Sequence, residues 1–504
     1  MPARSLHAHP ALRADKPIPS TPASSNGSAL NGDSETDQRA SESTQRFVLH
    51  RNLQQPPFVV REASNTYQLL EDDRNALDAA GGAAVSALGH YDEEHPLLGG
   101  FWRRAINAMI SQTMKGAYSC STMYIQDVVK TYAWELIEST DYKMSRVGFY
   151  TSGTTAVNAS VKFAFQYHRE KTNPEPSRIH FIGREQSYHG GDLGTLALGG
   201  YKARQIPYQA LLKESVFHHV SACNPYRGPR PNEDTKAYVD RLVQELKAKI
   251  EELGPKTVCA FILEPVVGAA GGCLVALPGY LKAVKKICKS YDIVLIFDEV
   301  MCGMGRTGKL HAWQHDGVVP DIQVVGKGLS AGLIPLSAML LGHKVSDALF
   351  KGSGLFAHGE TYQNHPLSCA VGLEVLRCIR QPCILDNVSK MGERLESGLK
   401  NGLSGHPHVG DIRGRGAFWN IEFVQDKQTK QSFKKNIAGA VVEFVIALER
   451  PYQLSIYSST GCGDNGIEGD GIILAPPYHI DMALVDTIIK NTVQMINDFR
   501  FDLV

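Results

Sequence analysis

Two short apolar runs restrict what this chain can fold into more than any other feature. Ile293-Val294-Leu295-Ile296-Phe297 has no polar residue in it, and Ile322-Gln323-Val324-Val325 follows closely along the chain. Runs of this length without a wet face read as strands buried on both sides, the condition of a parallel sheet sandwiched between helices. The first stops at Asp298-Glu299-Val300 and the second at Gly326-Lys327-Gly328. Each strand therefore ends in a residue that is costly to bury and useful to expose.

The neighbouring sequence repeats the alternation. Residues 147–150 read as a strand running into Thr151-Ser152-Gly153-Thr154-Thr155 and a helix with Val157, Val161 and Ala164 on one face. Residues 179–182 form another strand before Gln186-Ser187-Tyr188-His189-Gly190-Gly191, and residues 260–263 another before Glu264-Pro265. Asp234 or Thr235 caps a helix with Val239, Leu242, Val243, Leu246 and Ile250 at helical spacing. Strands alternating with helices predict an α/β fold with a mostly parallel sheet, and ligands at the carboxyl ends of its strands. After about residue 370 the pattern changes. Val388, Met391, Leu395 and Leu399 mark one amphipathic helix and Val485, Ile488, Ile489, Thr492 and Met495 another, with short strands and glycine-rich turns between. Tyr67 to Leu70 and Ala76 to Asp78 flank a polar turn and predict a hairpin. The expected layout is a disordered tail over 1–44, a large domain over 96–370, and a smaller α+β domain built from 45–95 and 371–504.

A carboxylate and a lysine at the carboxyl ends of two strands are what pyridoxal phosphate requires: an amine to form a Schiff base with the aldehyde, and an acid to hold a proton on the ring nitrogen. Ser152-Gly153-Thr154, where a strand turns into a helix, offers backbone N–H groups, hydroxyls and the positive end of a helix dipole to a phosphate, or else is an ordinary helix cap. Tyr188 follows a strand end, where an aromatic ring can stack on a flat cofactor, with His189 beside it. Asp298 reads equally as a cap. Gly303-Met304-Gly305-Arg306-Thr307-Gly308 matches the G-x-G-x-x-G string of dinucleotide sites, but no helix opens after it, so a tight turn is preferred.

Composition removes other classes. Lys plus Arg and Asp plus Glu both number 52, which gives no electrostatic case for nucleic acid or an anionic membrane surface. Ten cysteines without a Cys-x-x-Cys pair suit free thiols in a reducing compartment rather than disulfides or a metal site. No apolar run approaches a membrane span, and the start lacks a secretory core. Arg4, Arg13 and Lys16 leave room for a mitochondrial presequence, against which Asp15 counts, so the cytoplasm is the expectation.

Taken together the motifs resemble the class III pyridoxal-phosphate aminotransferases of fold type I, which include the ornithine, 4-aminobutyrate and ω-amino acid:pyruvate enzymes. The matching stretches are SGTTAVNASVKFA (152–164), YHGG (188–191), FILEPVVGAAGG (261–272), IFDEVMCGMGRTG (296–308), PDIQVVGKGLSAG (320–332), HGETYQNHP (358–366) and GDIRGRGAFW (410–419). The resemblance implies Lys327 as Schiff-base lysine and proton carrier, and Asp298 as partner of the ring nitrogen. It puts Val300 and Tyr188 on the two ring faces, Gly153 and Thr154 on the phosphate, and Glu264 beside the cofactor. Thr361 would reach the phosphate of a neighbouring subunit, which implies a homodimer. A small-molecule amino donor and oxo acceptor would exchange nitrogen by a ping-pong route.

Departures from the family pattern bear on the substrate. Met301 stands where many relatives carry a glutamine able to bond the ring hydroxyl. Ornithine and 4-aminobutyrate enzymes hold a carboxylate with an arginine just before Ala-Pro-Pro, shielded at times by a glutamate on the phosphate-site helix; those places hold Ile473 and Asn158. This argues against those two substrates and for the ω-amino acid or amine branch. Arg306, Arg413 and Arg415 are candidate carboxylate partners, Arg413 and Arg415 being favoured for a structural role. The same scaffold also runs decarboxylation, racemisation and phospho-lyase chemistry, and a non-catalytic binding protein is a further alternative.

Overall fold

A computed structural model of the chain describes residues 47–212, 216–446 and 451–503. The tail expected to be disordered, 1–44, lies outside the described residues. Residues 47–59 belong to a unit of their own and carry no helix or strand; residues from Val60 onward form a second unit, which holds everything below.

Its centre is a seven-stranded sheet. In spatial order the strands are Met144–Tyr150, Ser337–Gly342, Ile322–Val325, Val294–Glu299, Val258–Leu263, His180–Arg184 and Phe217–Val220. All pairings are parallel except the two made by Ser337–Gly342, which is antiparallel to both neighbours. Every residue of Val258–Leu263, Val294–Glu299 and Ile322–Val325 is buried, as uninterrupted apolar runs require. One difference from the sequence reading matters: the strand that begins at Val294 continues through Asp298 and Glu299. It does so because Glu299 pairs across to Val325 and its carboxylate is satisfied by backbone donors.

Helices cover both faces. Gly153–Glu170 buries Val157, Phe163 and Ala164 against one side, and Thr235–Leu253 with Tyr280–Ser290 covers the other through Leu242, Leu246, Leu281 and Val284. Asp234 takes the cap of the former pair's longer helix, accepting from Ala237 N–H at 2.7 Å.

Two four-stranded sheets complete the unit. The predicted hairpin is present as Tyr67–Leu70 and Asn75–Asp78, with Asp73 at φ +65° in its turn, and Leu454–Ser455 from the far end of the chain adds alongside. The other, Val409–Gly414, Trp419–Phe423, Asp470–Leu474 and Tyr457–Thr460, is antiparallel throughout. Pro382–Leu403 and Met482–Asp498 turn the predicted apolar stripes inward, with Val388, Met391, Leu395, Leu399, Val485 and Ile488 fully buried. Residues 303–308 form a turn with Gly305 and Gly308 at φ +90° and +89°, and only a single 3-10 turn, Ala312–His315, follows. That is the tight turn expected and not a dinucleotide loop.

Candidate active site

The site lies at the carboxyl edge of the sheet. Asp298 stands opposite Val324 and Glu299 opposite Val325, and Lys327 follows two residues later, so parallel neighbours deliver acid and amine to one edge. Lys327 has φ +49°, a left-handed backbone that costs a residue with a Cβ roughly 1–2 kcal/mol. Its Nζ donates to the carbonyl of Ala83 at 2.8 Å. Burial lowers its pKa to about 8, against the pull of the Asp298 and Glu264 charges. Roughly a tenth of the amine is therefore unprotonated at pH 7, as a nucleophilic lysine needs.

Asp298 is buried with both oxygens engaged. Its Oδ2 accepts from His189 Nδ1 at 2.8 Å, and its Oδ1 accepts from Val300 N–H at 3.0 Å. Nε2 of His189 is buried with no partner. Glu264 accepts from Tyr188 N–H at 3.1 Å and Gly268 N–H at 2.9 Å. Burial pushes its pKa up to about 7, helped by Asp298 and opposed by His189.

Glu299 fixes the turn beyond Asp298. Its oxygens accept from Ala312 N–H at 2.7 Å, Trp313 N–H at 2.9 Å and Gln323 Nε2 at 2.9 Å. Burial raises its pKa to about 7 against those donors. Its stabilising contribution is thus fully present below about pH 4.5 and is lost as the pH rises through about 7. Glu299→Gln places an amide N–H₂ against backbone donors, and is expected to cost about 1–3 kcal/mol in a urea titration. It should also flatten the pH dependence of stability between 4.5 and 7; an unchanged pH profile would remove Glu299 from the account.

At the other end of the site Ser152 caps Gly153–Glu170, accepting from Thr155 N–H at 3.2 Å while Thr155 Oγ1 accepts from Ser152 N–H at 3.1 Å. The cap leaves the first-turn N–H groups of Gly153 and Thr154 outside the helical ladder. A side chain at Gly153 would put its Cβ 2.8 Å from Val300, so glycine is required for the valine to pack there. Thr154 Oγ1 accepts from Gly191 N–H at 3.3 Å.

The structure thus gathers Ser152, Gly153, Thr154, Tyr188, His189, Glu264, Asp298, Val300 and Lys327 at one edge. It does not bring Thr361 among them: that residue is exposed, though Glu360 beside it accepts from Thr151 N–H at 3.1 Å. Of the carboxylate candidates, Arg413 is fully committed. It pairs with Glu422 at 2.6 Å and Asp411 at 2.9 Å and donates to the carbonyls of Gly272 and Gly271, both at 2.6 Å. Arg306 is buried, donates from Nη1 to Pro476 and Ala417 carbonyls at 2.7 and 3.1 Å, and lies over Tyr478. The charge of Arg415 acts to lower the pKa values of His315 and Asp316. Sequence reasoning missed the carbonyl of Ala83 and the side chain of Arg204, whose guanidinium carbon lies 5.1 Å from the ring centres of both Tyr188 and Tyr201. Neither carries a periodicity or motif that points to a site.

The donor set fits pyridoxal phosphate. A helix start with a close-approach glycine suits the phosphate, a buried acid locked by histidine suits the ring nitrogen, and a buried amine of lowered pKa suits the aldehyde. The orphaned His189 Nε2 shows a polar place that the protein alone leaves unfilled.

Comparison with known proteins agrees. The class-III aminotransferase family profile matches residues 48–495. A Gibberella zeae protein named "Aminotransferase" is 42% identical over 442 residues, covering 88% of this chain and 84% of its own. "Gamma aminobutyrate transaminase 3, chloroplastic" of Solanum lycopersicum is 31% identical, covering 86% and 79%. The omega transaminase of Pseudomonas jessenii, solved in complex with PMP, superposes with a TM-score of 0.80 at 29% identity, covering 91% of this chain and 97% of its own.

Proposed function

Because this chain belongs to the class III aminotransferase family and is a pyridoxal-phosphate-dependent aminotransferase, we propose that it moves nitrogen from an ω-amino acid or simple amine to a 2-oxo acid or aldehyde, as a cytoplasmic homodimer. The observation that carries the donor class is Ile473. It is fully buried in the strand Asp470–Leu474, at the place where the ornithine and 4-aminobutyrate enzymes carry an arginine, and Asn158 is spent on Asp192 at 3.2 Å. Relatives named for γ-aminobutyrate keep that compound in the donor screen.

When bound, pyridoxal phosphate supplies the aldehyde that takes up nitrogen and the ring that withdraws electrons from the reacting carbon. Lys327 Nζ would hold the aldehyde and, when free, would serve as the base and acid that moves the substrate proton. Asp298, held by His189, keeps the ring nitrogen protonated. Tyr188 and Val300 would pack on the two faces of the ring, and Gly153 and Thr154 would bind the phosphate. Residues 96–370 are read as the cofactor domain, and the sheet shared by Asn75–Asp78 and Leu454–Ser455 supports a smaller domain from both chain ends.

Support for the dimer is an exposed apolar surface: Ile110, Met114, Met123, Tyr124 and Ile125 are all more than half exposed, and Tyr118 of that surface lies 6.1 Å from Tyr362, next to Thr361. Mixing Lys327→Ala with Thr361→Ala chains tests the shared site. If Thr361 serves the neighbour, one site per mixed dimer carries both lesions and the other none, so activity recovers to about half of wild type per dimer. Recovery to no more than the Thr361→Ala level would place Thr361 in its own site. The substrate reading is tested by a screen of amino donors against pyruvate; conversion of α-amino acids alone would overturn it.

A further inference from the structure

Resting on the aminotransferase reading above, we infer that Arg204 is the residue that binds the carboxylate of the substrate. Arg204 lies in the short helix Lys202–Gln205, and its guanidinium sits between two aromatic rings, Tyr188 and Tyr201, each with its centre 5.1 Å away. Tyr188 belongs to the cofactor site, so the cation stands at the border of the reacting centre. The Tyr201 hydroxyl is hydrogen-bonded to Thr460 Oγ1, which docks this helix on the strand Tyr457–Thr460.

That strand explains why an arginine is wanted here. Tyr457 lies directly opposite Ile473 in the antiparallel pair, so the two side chains share one face of the sheet. Ile473 is fully buried and apolar. Arg204 comes to this strand from a different element, docked on it through Tyr201 and Thr460.

Arg204 is also free to act. Among the described residues its guanidinium meets phenols and forms no ion pair, whereas Arg413 has spent its donors on Glu422, Asp411 and two carbonyls. It is half-buried, open enough to meet a ligand, while Arg306 is buried with its guanidinium over the Tyr478 ring. A planar fork of N–H donors on an aromatic bed, with no resident anion, suits a carboxylate of the substrate. The ligand class is a carboxylated acceptor such as a 2-oxo acid, and a donor whose carboxylate reaches the same corner.

The test uses the holoenzyme in its amino form, with pyruvate and propanal as acceptors that differ by a carboxylate, and calorimetric binding of propanoate, which cannot react. Arg204→Gln should lower the pyruvate-to-propanal ratio of kcat/KM by roughly 10–100-fold and weaken propanoate by a similar factor, with propanal itself little changed. Arg204→Lys keeps the charge and loses the fork, so the ratio should still fall about tenfold; it decides the matter if the glutamine variant does not fold. Equal losses for pyruvate and propanal, or propanoate binding untouched by either variant, would overturn the assignment. A wild-type protein that reacts with neither acceptor would instead sink the aminotransferase reading, while the propanoate titration still judges Arg204.

Discussion

Lys327→Ala should leave a protein that binds pyridoxal phosphate but completes no second turnover, with kcat reduced by at least about 10⁴-fold. The cofactor keeps its phosphate donors at the helix start and its acid at Asp298, none of which the substitution touches. What disappears is the amine that both tethers the aldehyde and moves the proton. Added methylamine should restore a measurable fraction of turnover, because a small amine can enter the space that Nζ vacates beside the Ala83 carbonyl. Steady turnover by the alanine variant without added amine would show that another group carries the proton. In the wild type, recapture of the aldehyde by the emptied protein requires unprotonated Nζ. Its pKa is depressed to about 8, so the rate should rise with pH up to about 8 and level off above it. A midpoint near 10.5 would mean that burial does not act on this amine.

Asp298→Asn should lower kcat by about 10²–10³-fold. The amide keeps the size of the side chain and the hydrogen bond from Val300 N–H, so the fold around the strand end should hold. It loses the negative charge that His189 Nδ1–H steadies at 2.8 Å, and with it the means of keeping a pyridine nitrogen protonated. The expected signature is a loss in the proton-transfer step read by a substrate deuterium isotope effect that grows, with cofactor affinity reduced far less. An unchanged isotope effect alongside lost cofactor would make Asp298 a binding residue only.

Much of the site was legible before any coordinates. The central strands show as apolar runs because burial on both faces leaves no room for polar residues, and the ends of those runs expose the residues that must face a ligand. Gly153 could be read as the start of a phosphate-binding helix, but only the structure shows that its missing side chain makes room for Val300. Likewise Asp298 could be read as a cap or a cofactor acid. The structure shows a local bond from Val300 N–H and, from 109 residues earlier in the chain, a bond to His189 that no local spacing reports. Of the three arginines singled out from sequence, Arg413 is spent on Glu422, Asp411 and two carbonyls and Arg306 is buried, and the motifs that pointed to them carry no trace of either.

The amino-acid sequence by itself determined the α/β class, the strand and helix faces, the cofactor and the lysine–aspartate pair, because each is written in local periodicity or in residues a few positions from a strand end. Only the tertiary structure decided which carbonyl receives Lys327, that Arg413 is spent on Glu422, and that Arg204 stands over Tyr188 and Tyr201. Those relations join segments far apart in the chain. They follow from strand order and from how each element docks, and neither leaves a trace in the spacing of neighbouring residues.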